Sequence, residues 1–332
     1  MPDRRSVLQS PLTAAALMST RSTASNVRIG PDVRVRNVKD FGAKGDGVTD
    51  DTEAFNRATR ADDPWSWEML ASIIVPAGRY RIDGTVFLRK GQSLIGDGLS
   101  TYIDAAKGTG SVFIMGRRRG GSRGIEDPGG LPVRVEKFIG LGGVADQGFV
   151  FAAIPGFQIS ALFLTAVGIG IEIEGADGIV SDIEVDQCLS AIQIRKSQNI
   201  VLTNLNFYVS NYGISFLEDC NDISVSNSVF CYNKYSTVLL GDGCTNIRSI
   251  TITGCTFTNN IPYKTFSGYI YSRASDSDLL INGCTFRNAP GYAINQDAGT
   301  NLQLVLRNCI FDGRRSRDDY NQTARSRTFR KA

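Results

Sequence analysis

The sequence predicts an all-β solenoid, a single-stranded parallel β-helix with a short N-terminal capping α-helix, from three observations. Seven segments from Phe157 onward repeat one another: FQISALFL, GIVSDIEV, NIVLTNLNF, DISVSNSVF, SITITGCTF, LLINGCTF and LVLRNCIF. Apolar residues alternate within each segment at a period of two, the strand period rather than the helical one. Each repeat also holds turn residues and a second short strand, without a helical stripe. A period of roughly 20–30 residues built this way reads as one coil per repeat.

Alignment of the segments assigns the faces. One column reads Ala161, Asp182, Asn204, Asn227, Gly254, Gly283 and Asn308, at steps of 21, 22, 23, 27, 29 and 25 residues. The next column, Leu162, Ile183, Leu205, Ser228, Cys255, Cys284 and Cys309, is predicted to point inward. Its three thiols would stack about 4.8 Å apart, the strand spacing. Stacked side chains of like orientation point in parallel, so the thiols are expected to be small buried hydrophobes rather than disulfides. Asn199, Asn221, Asn246 and Asn301 precede successive strands. They are expected to form an inward ladder that satisfies turn backbone groups.

The N-terminal stretch VKDFGAKGDGVTDDTEAFNRA, Val38 to Ala58, reads as a strand (Val38 to Phe41), a glycine turn and a helix. Asp50 is the expected N-cap, with Glu53 at capping-box spacing. Ala54, Phe55 and Ala58 give the helix one apolar stripe. IIVPAGRYRI (Ile73 to Ile82) and TVFLRKGQSLIGDG (Thr85 to Gly98) follow. This FGAKGDGVTDDT start, VPAGxY strand and LIGDG turn resemble the cap and first coils of the pectate-lyase-like superfamily of right-handed parallel β-helix proteins. That group includes rhamnogalacturonase/epimerase-like proteins and phage tailspikes. The resemblance covers residues 37–313 and implies the handedness of the fold.

The flanks differ in character. Residues 1–36 read as an export signal or a flexible attachment arm: DRRSVLQ (Asp3 to Gln9) looks like a twin-arginine signal. Residues 314–332 are basic, polar and aperiodic, and read as a disordered tail. Trp65 and Trp67 are expected to pack on the cap, and the GRRRGGSRG loop (residues 116–124) to be solvated. No apolar run reaches the ~18 residues of a membrane span.

Composition narrows the chemistry. The 332 residues include no histidine, which removes Ser-His-Asp triads, Cys-His pairs and His-ligated metals together. The seven cysteines form no CxxC pair, so no zinc site is expected. Acidic clusters suit Ca²⁺, but no spaced ligand motif occurs, and no metal or cofactor is assigned. A net charge of +3 excludes no partner class, and no nucleic-acid partner is expected.

The second strands, GIGIEI, SAIQI, YGISF, YSTVLL, YIYS and YAINQ, would form a flat face that can track an extended polymer. In polygalacturonase-like relatives the catalytic carboxylates precede such strands, beside a histidine and an Arg-x-Lys. Here those positions hold Gly168, Ser190, Tyr212, Tyr235, Tyr269 and Tyr292, so that mechanism does not carry over. Tyr212, Tyr235, Tyr269 and Tyr292 are instead expected to line up as a sugar platform or a structural stack. At the far strand ends, Glu174, Glu218, Asp219 and Asp242 are the candidate catalytic carboxylates. Arg195 and Lys196 are candidate ligands for a uronate. The implied function is extracytoplasmic polysaccharide processing, by a hydrolase or a lyase. The alternatives are a tailspike-like virion protein, homotrimeric in that case, or a non-catalytic glycan-binding β-helix.

Overall fold

The computed structural model describes residues 34–60, 71–105, 110–116, 132–142, 147–241, 246–259 and 264–312, and the backbone of Arg330–Lys331. Among the described residues, two parallel sheets wind around a common core, one of 19 strands and one of nine. In the nine-stranded small sheet the strand order follows the chain without interruption, so each coil contributes one strand. The expected parallel β-helix is what the chain forms.

In the large sheet the repeats stack residue on residue. Ile159, Val180, Leu202, Val225, Ile252 and Ile281 share one register column and are buried. Further along, Leu164, Val185, Phe207, Phe230, Phe257, Phe286 and Phe311 share another. The rings of Phe257 and Phe286 lie 4.7 Å apart and those of Phe286 and Phe311 4.8 Å apart, both nearly parallel. Offset-stacked aromatics add to the value of their burial. Facing them across the core, the small sheet presents Val150, Ile171, Ile192, Ile214, Val238, Ile270 and Ile294, all fully buried.

Between the two inward columns the backbone kinks. Ala161, Asp182, Asn204, Asn227, Gly254, Gly283 and Asn308 all have φ between 50° and 63°. This left-handed conformation favours Gly, Asn and Asp, which explains the residues that recur there. The kink lets Leu162, Ile183, Leu205, Ser228, Cys255 and Cys284 point inward on the other side, each at most 2 % exposed. Cys255 and Cys284 are free, buried thiols, and the Cys255 N–H donates to the Cys284 sulfur at 3.4 Å.

Three local expectations need correction. Val38–Phe41 is a 3₁₀ turn, closed by Gly42 at φ 96°. The helix is Thr52–Thr59 with Asp51 at its N-cap; Asp50 accepts from the Thr52 N–H at 3.0 Å from one position earlier. Asp51 is turned away and buried, and accepts from the Lys44 and Gly45 N–H groups of the glycine turn at 2.6 and 3.0 Å. Asn199, Asn246 and Asn301 are exposed and Asn221 is half-buried, because they sit on the outer side of strand starts. The buried amides lie at another corner, where the Asn259 side chain donates to the Asn233 carbonyl at 3.2 Å.

The first described strand, Arg34–Asn37, begins before the expected boundary at residue 37. Within the expected tail, Arg330–Lys331 pairs with Val305–Leu306. The export-like segment, Trp65, Trp67 and the arginine loop lie outside the described residues.

Phe257→Ala is expected to cost about 3–5 kcal/mol in urea unfolding, because it opens the ladder between Phe230 and Phe286. A loss under about 1 kcal/mol would show that the ladder does not carry the packing.

Candidate functional site

The outer face of the small sheet is built by one register column: Glu172, Gln193, Ser215, Leu239, Tyr271 and Asn295, one residue per coil, with Glu172, Ser215 and Leu239 buried and the other three half-buried. Tyrosines flank it on the entry side and charges on the exit side.

On the entry side, the rings of Tyr212 and Tyr235 pack on each other with centroids 5.3 Å apart and planes tilted by 37°. The Lys234 ammonium lies 5.1 Å from the Tyr235 centroid, a cation–π contact. Each tyrosine follows a strained turn residue by three positions: Val209 has φ 46° and Tyr232 φ 57°. Left-handed backbone is an outlier for a β-branched residue, and such strain gathers at sites that position side chains.

The expected line of four tyrosines is broken, and register is the reason. Tyr212 pairs with Ser236, and Ser236 with Gly268. Tyr235 therefore lies one position before the Tyr212 level, and Tyr269 one position after it. Within a strand a one-residue shift reverses the side chain; Tyr269 lies inside the strand Gly268–Ser272, whereas Tyr235 precedes the strand Ser236–Leu240. Tyr269 is 1 % exposed, its hydroxyl donates to the Arg287 carbonyl, and its ring packs on Phe257, Phe266 and Phe286. Tyr269 is a core residue. Tyr292 returns to the Tyr212 level and is exposed.

On the exit side charges alternate from coil to coil. Glu174 pairs with Arg195 and Arg195 with Glu218. Glu218 is held by Arg195 at 3.1 Å and Lys196 at 2.5 Å. The Lys196 hydrogen bond is the main force lowering the Glu218 pKa. Glu174 and Glu218 stand two coils apart, about 9.6 Å by strand spacing, with Arg195 between them. Retaining hydrolysis needs about 5–5.5 Å between carboxyls and inverting hydrolysis about 6.5–9.5 Å, so the backbone spacing of this pair is too wide for the first and close to the upper end of the second. Asp219 lies on the turn at φ 33°, with its carboxylate 3.5 Å from the Asn246 N–H. Asp242 lies outside the described residues.

The group that sequence reading passed over is Tyr271. Its hydroxyl donates to Asp297 Oδ1, and Arg273 reaches Asp297 Oδ2 at 3.4 Å. Burial and the Asp297 carboxylate push the phenol up to about 12, so it stays protonated at neutral pH. Alternation within YIYS could have marked it as outward once Tyr269 was placed inward. Among the described residues, no three Asp, Glu, Cys or His side chains gather as a metal site, and no helix is long and apolar enough to cross a membrane.

Residues 35–130 match the family model "Rhamnogalacturonase A/epimerase, pectate lyase-like", and residues 164–275 match "Right handed beta helix region". Over 75 residues the chain is 45% identical to a glucan 1,3-beta-glucosidase of Cochliobolus carbonum, covering 20% of this chain and 10% of that protein. Among solved structures, ORF18 of Geobacillus virus E2 has a TM-score of 0.63 at 20% identity, covering 88% of this chain and 60% of that one. The enzymatically active domain of bacteriophage CBA120 tailspike protein 2 has a TM-score of 0.61 at 12% identity, covering 84% and 43%.

Glu218→Gln tests the exit-side ion pairs. A carboxyl with a depressed folded pKa adds stability above its unfolded value, near 4.3, and loses it as pH falls through the folded value. The variant is therefore expected to be weaker by a few tenths to about 1 kcal/mol near pH 7, as for surface pairs, and the deficit to be smaller near pH 3. The same deficit at both pH values in urea melts would assign the loss to packing.

The two family matches, together with the uninterrupted stack of parallel coils, show that this chain has the right-handed parallel β-helix fold and resembles the pectate-lyase-like proteins.

Proposed function

We propose that the outer face of the small sheet holds an extended polysaccharide along the solenoid axis, and that Tyr271 supplies a proton in cutting it. The observation that carries this reading is the outward Tyr271–Asp297–Arg273 group on the same face as the Tyr212–Tyr235 stack. Tyrosine rings pack on sugar C–H faces while their hydroxyls exchange hydrogen bonds.

The donor set favours β-elimination at a uronate over two-carboxylate hydrolysis. Elimination breaks the glycosidic C–O bond and forms a C=C bond in the uronate ring. The α proton leaves to a base and the departing oxygen gains one. Tyr271 remains protonated in the neutral range, so it fits the donor to the leaving oxygen. Asp297 orients the phenol, and Arg273 lies where it can meet the substrate carboxylate. A substrate of this kind belongs outside the cytoplasm.

A second reading, a tailspike-like component that holds its glycan without cutting it, draws support from the likeness to ORF18 and to the phage tailspike. The chain spans about a tenth of the glucosidase it matches, so the activity of that whole protein is not carried over.

The test is a screen of acidic and neutral polysaccharides, following new reducing ends and the ultraviolet absorbance of unsaturated uronates. Absorbance with reducing ends is the expected result; reducing ends alone would mean hydrolysis, and binding without products would mean the spike-like reading. On a cleaved substrate, Tyr271→Phe is expected to lower kcat by about 100-fold with KM nearly unchanged. Tyr212→Ala is expected to weaken binding about tenfold. Full turnover by Tyr271→Phe would remove the phenol from the chemistry.

A further inference from the structure

A groove of about 430 Å³ crosses four coils on the outer face of the large sheet, away from the tyrosine-bearing strands. Its concavity has a local cause: Asp222 and Ser249 adopt left-handed backbone, φ 52° and 54°, and the ladder slips by one residue between Ile247 and Ile250. Such a bulge re-aims the side chains beside it. Ser224, Thr251, Leu280 and Val305 form one register column along the groove, all half-buried. Two hydroxyls are thus followed by two aliphatic side chains. Asp222, Asp278 and Gln303 line the groove two residues earlier in their strands.

Both charged residues of the lining are carboxylates, and each is held by a neutral donor. The Asn221 amide donates to Asp222 Oδ2 at 2.9 Å, and the Ser249 N–H donates to Asp278 Oδ1. Among the described residues, Asp222 Oδ1 and Asp278 Oδ2 have no donor and neither carboxylate has an ion-pair partner; the neighbouring Arg248 is turned to Asp276 at 2.5 Å. The two aspartates stand two coils apart, about 9.6 Å by strand spacing. Each of these strands is paired to a coil on either side. The groove therefore offers side chains, and an added peptide strand finds no open ladder to join.

We propose that this groove is a second carbohydrate site, separate from the small sheet, and that it takes a sugar chain bearing free amino groups. A protonated amine brings a positive charge and three donors to carboxylates that keep unused acceptors. Ring hydroxyls exchange hydrogen bonds with Ser224, Thr251 and Gln303. The C–H face of a ring rests on Leu280 and Val305, which removes apolar surface from water. A uronate would meet two carboxylates of its own sign here. The two faces thus select sugars of opposite charge: Arg195, Lys196 and Arg273 stand on the small sheet, Asp222 and Asp278 in the groove.

Calorimetry on the full chain with glucosamine oligosaccharides tests this, comparing free amines with their N-acetylated counterparts at one low salt concentration. The free amines are expected to bind, and acetylation, which removes the charge, to weaken binding about tenfold. The double variant Asp222→Asn/Asp278→Asn keeps acceptors for the Asn221 amide and the Ser249 N–H, so its melting profile should match wild type. It is expected to bind the free amines about tenfold more weakly. Tyr212→Ala and Tyr271→Phe should bind them as wild type does, which separates this site from the small sheet. No binding, equal affinity for the acetylated chains, or full affinity in the double variant would overturn the proposal. So would a loss in Tyr212→Ala, or equal affinity for a plain aliphatic diamine, which would leave no role for the sugar.

Discussion

The molecule depends on parallel strands stacking in register, one coil per strand spacing. At about 4.8 Å a residue meets its counterpart in the next coil at the distance at which planar rings stack. The 4.7 and 4.8 Å separations of Phe257, Phe286 and Phe311 are that spacing expressed in side chains. A column of like residues is therefore a continuous structure. Each coil buries its apolar face only because a neighbour repeats the pattern, so stability is shared along the stack. The left-handed column from Ala161 to Asn308 follows from the same constraint. Every coil must kink at one level, or the two inward columns of the large sheet would lose their alignment.

Register also decides what the outer face can do. On the entry side of the small sheet, Tyr269 lies one position past the Tyr212 level and is buried in the core, whereas Tyr212 and Tyr235 remain in contact with each other. On the exit side the alternation of Glu174, Arg195 and Glu218 places unlike charges in successive coils. That arrangement suits mutual neutralisation better than a close carboxylate pair. Tyr271 and Asp297 differ: they pair across neighbouring coils on the outer side of the sheet, where both are half-buried, and the ion-pair partner of Asp297, Arg273, comes from the strand end beside Tyr271.

Much of this was legible in the sequence, and the failures have physical causes. The large-sheet columns could be read because each repeat carries a fixed short spacing between its kink residue and its inward neighbours. The small-sheet alignment could not. Coil lengths change after Asn227, from steps of 21–23 to steps of 25–29 residues, and the extra residues fall between the two sheets. Tyrosine identity then misled: aligning Tyr212, Tyr235, Tyr269 and Tyr292 as one column placed three different levels together. The exposed asparagines before strands resembled a ladder in spacing, yet the buried amides, Asn233 and Asn259, sit in turns whose periodicity is irregular. Asp50 resembled an N-cap because two aspartates adjoin, and only the glycine turn's need for a buried acceptor separates their roles.

The central claim is that a glycan lies lengthwise on the small sheet. From Glu172 to Asn295 the outer column takes five coil steps, about 24 Å. The most direct test is the affinity of oligosaccharides of increasing length, taken from whichever polysaccharide binds and measured calorimetrically at a fixed salt concentration. Affinity should climb with each added sugar until the chain spans about 24 Å, and then level off. Equal affinity for a single sugar and for long chains would contradict a lengthwise binding face.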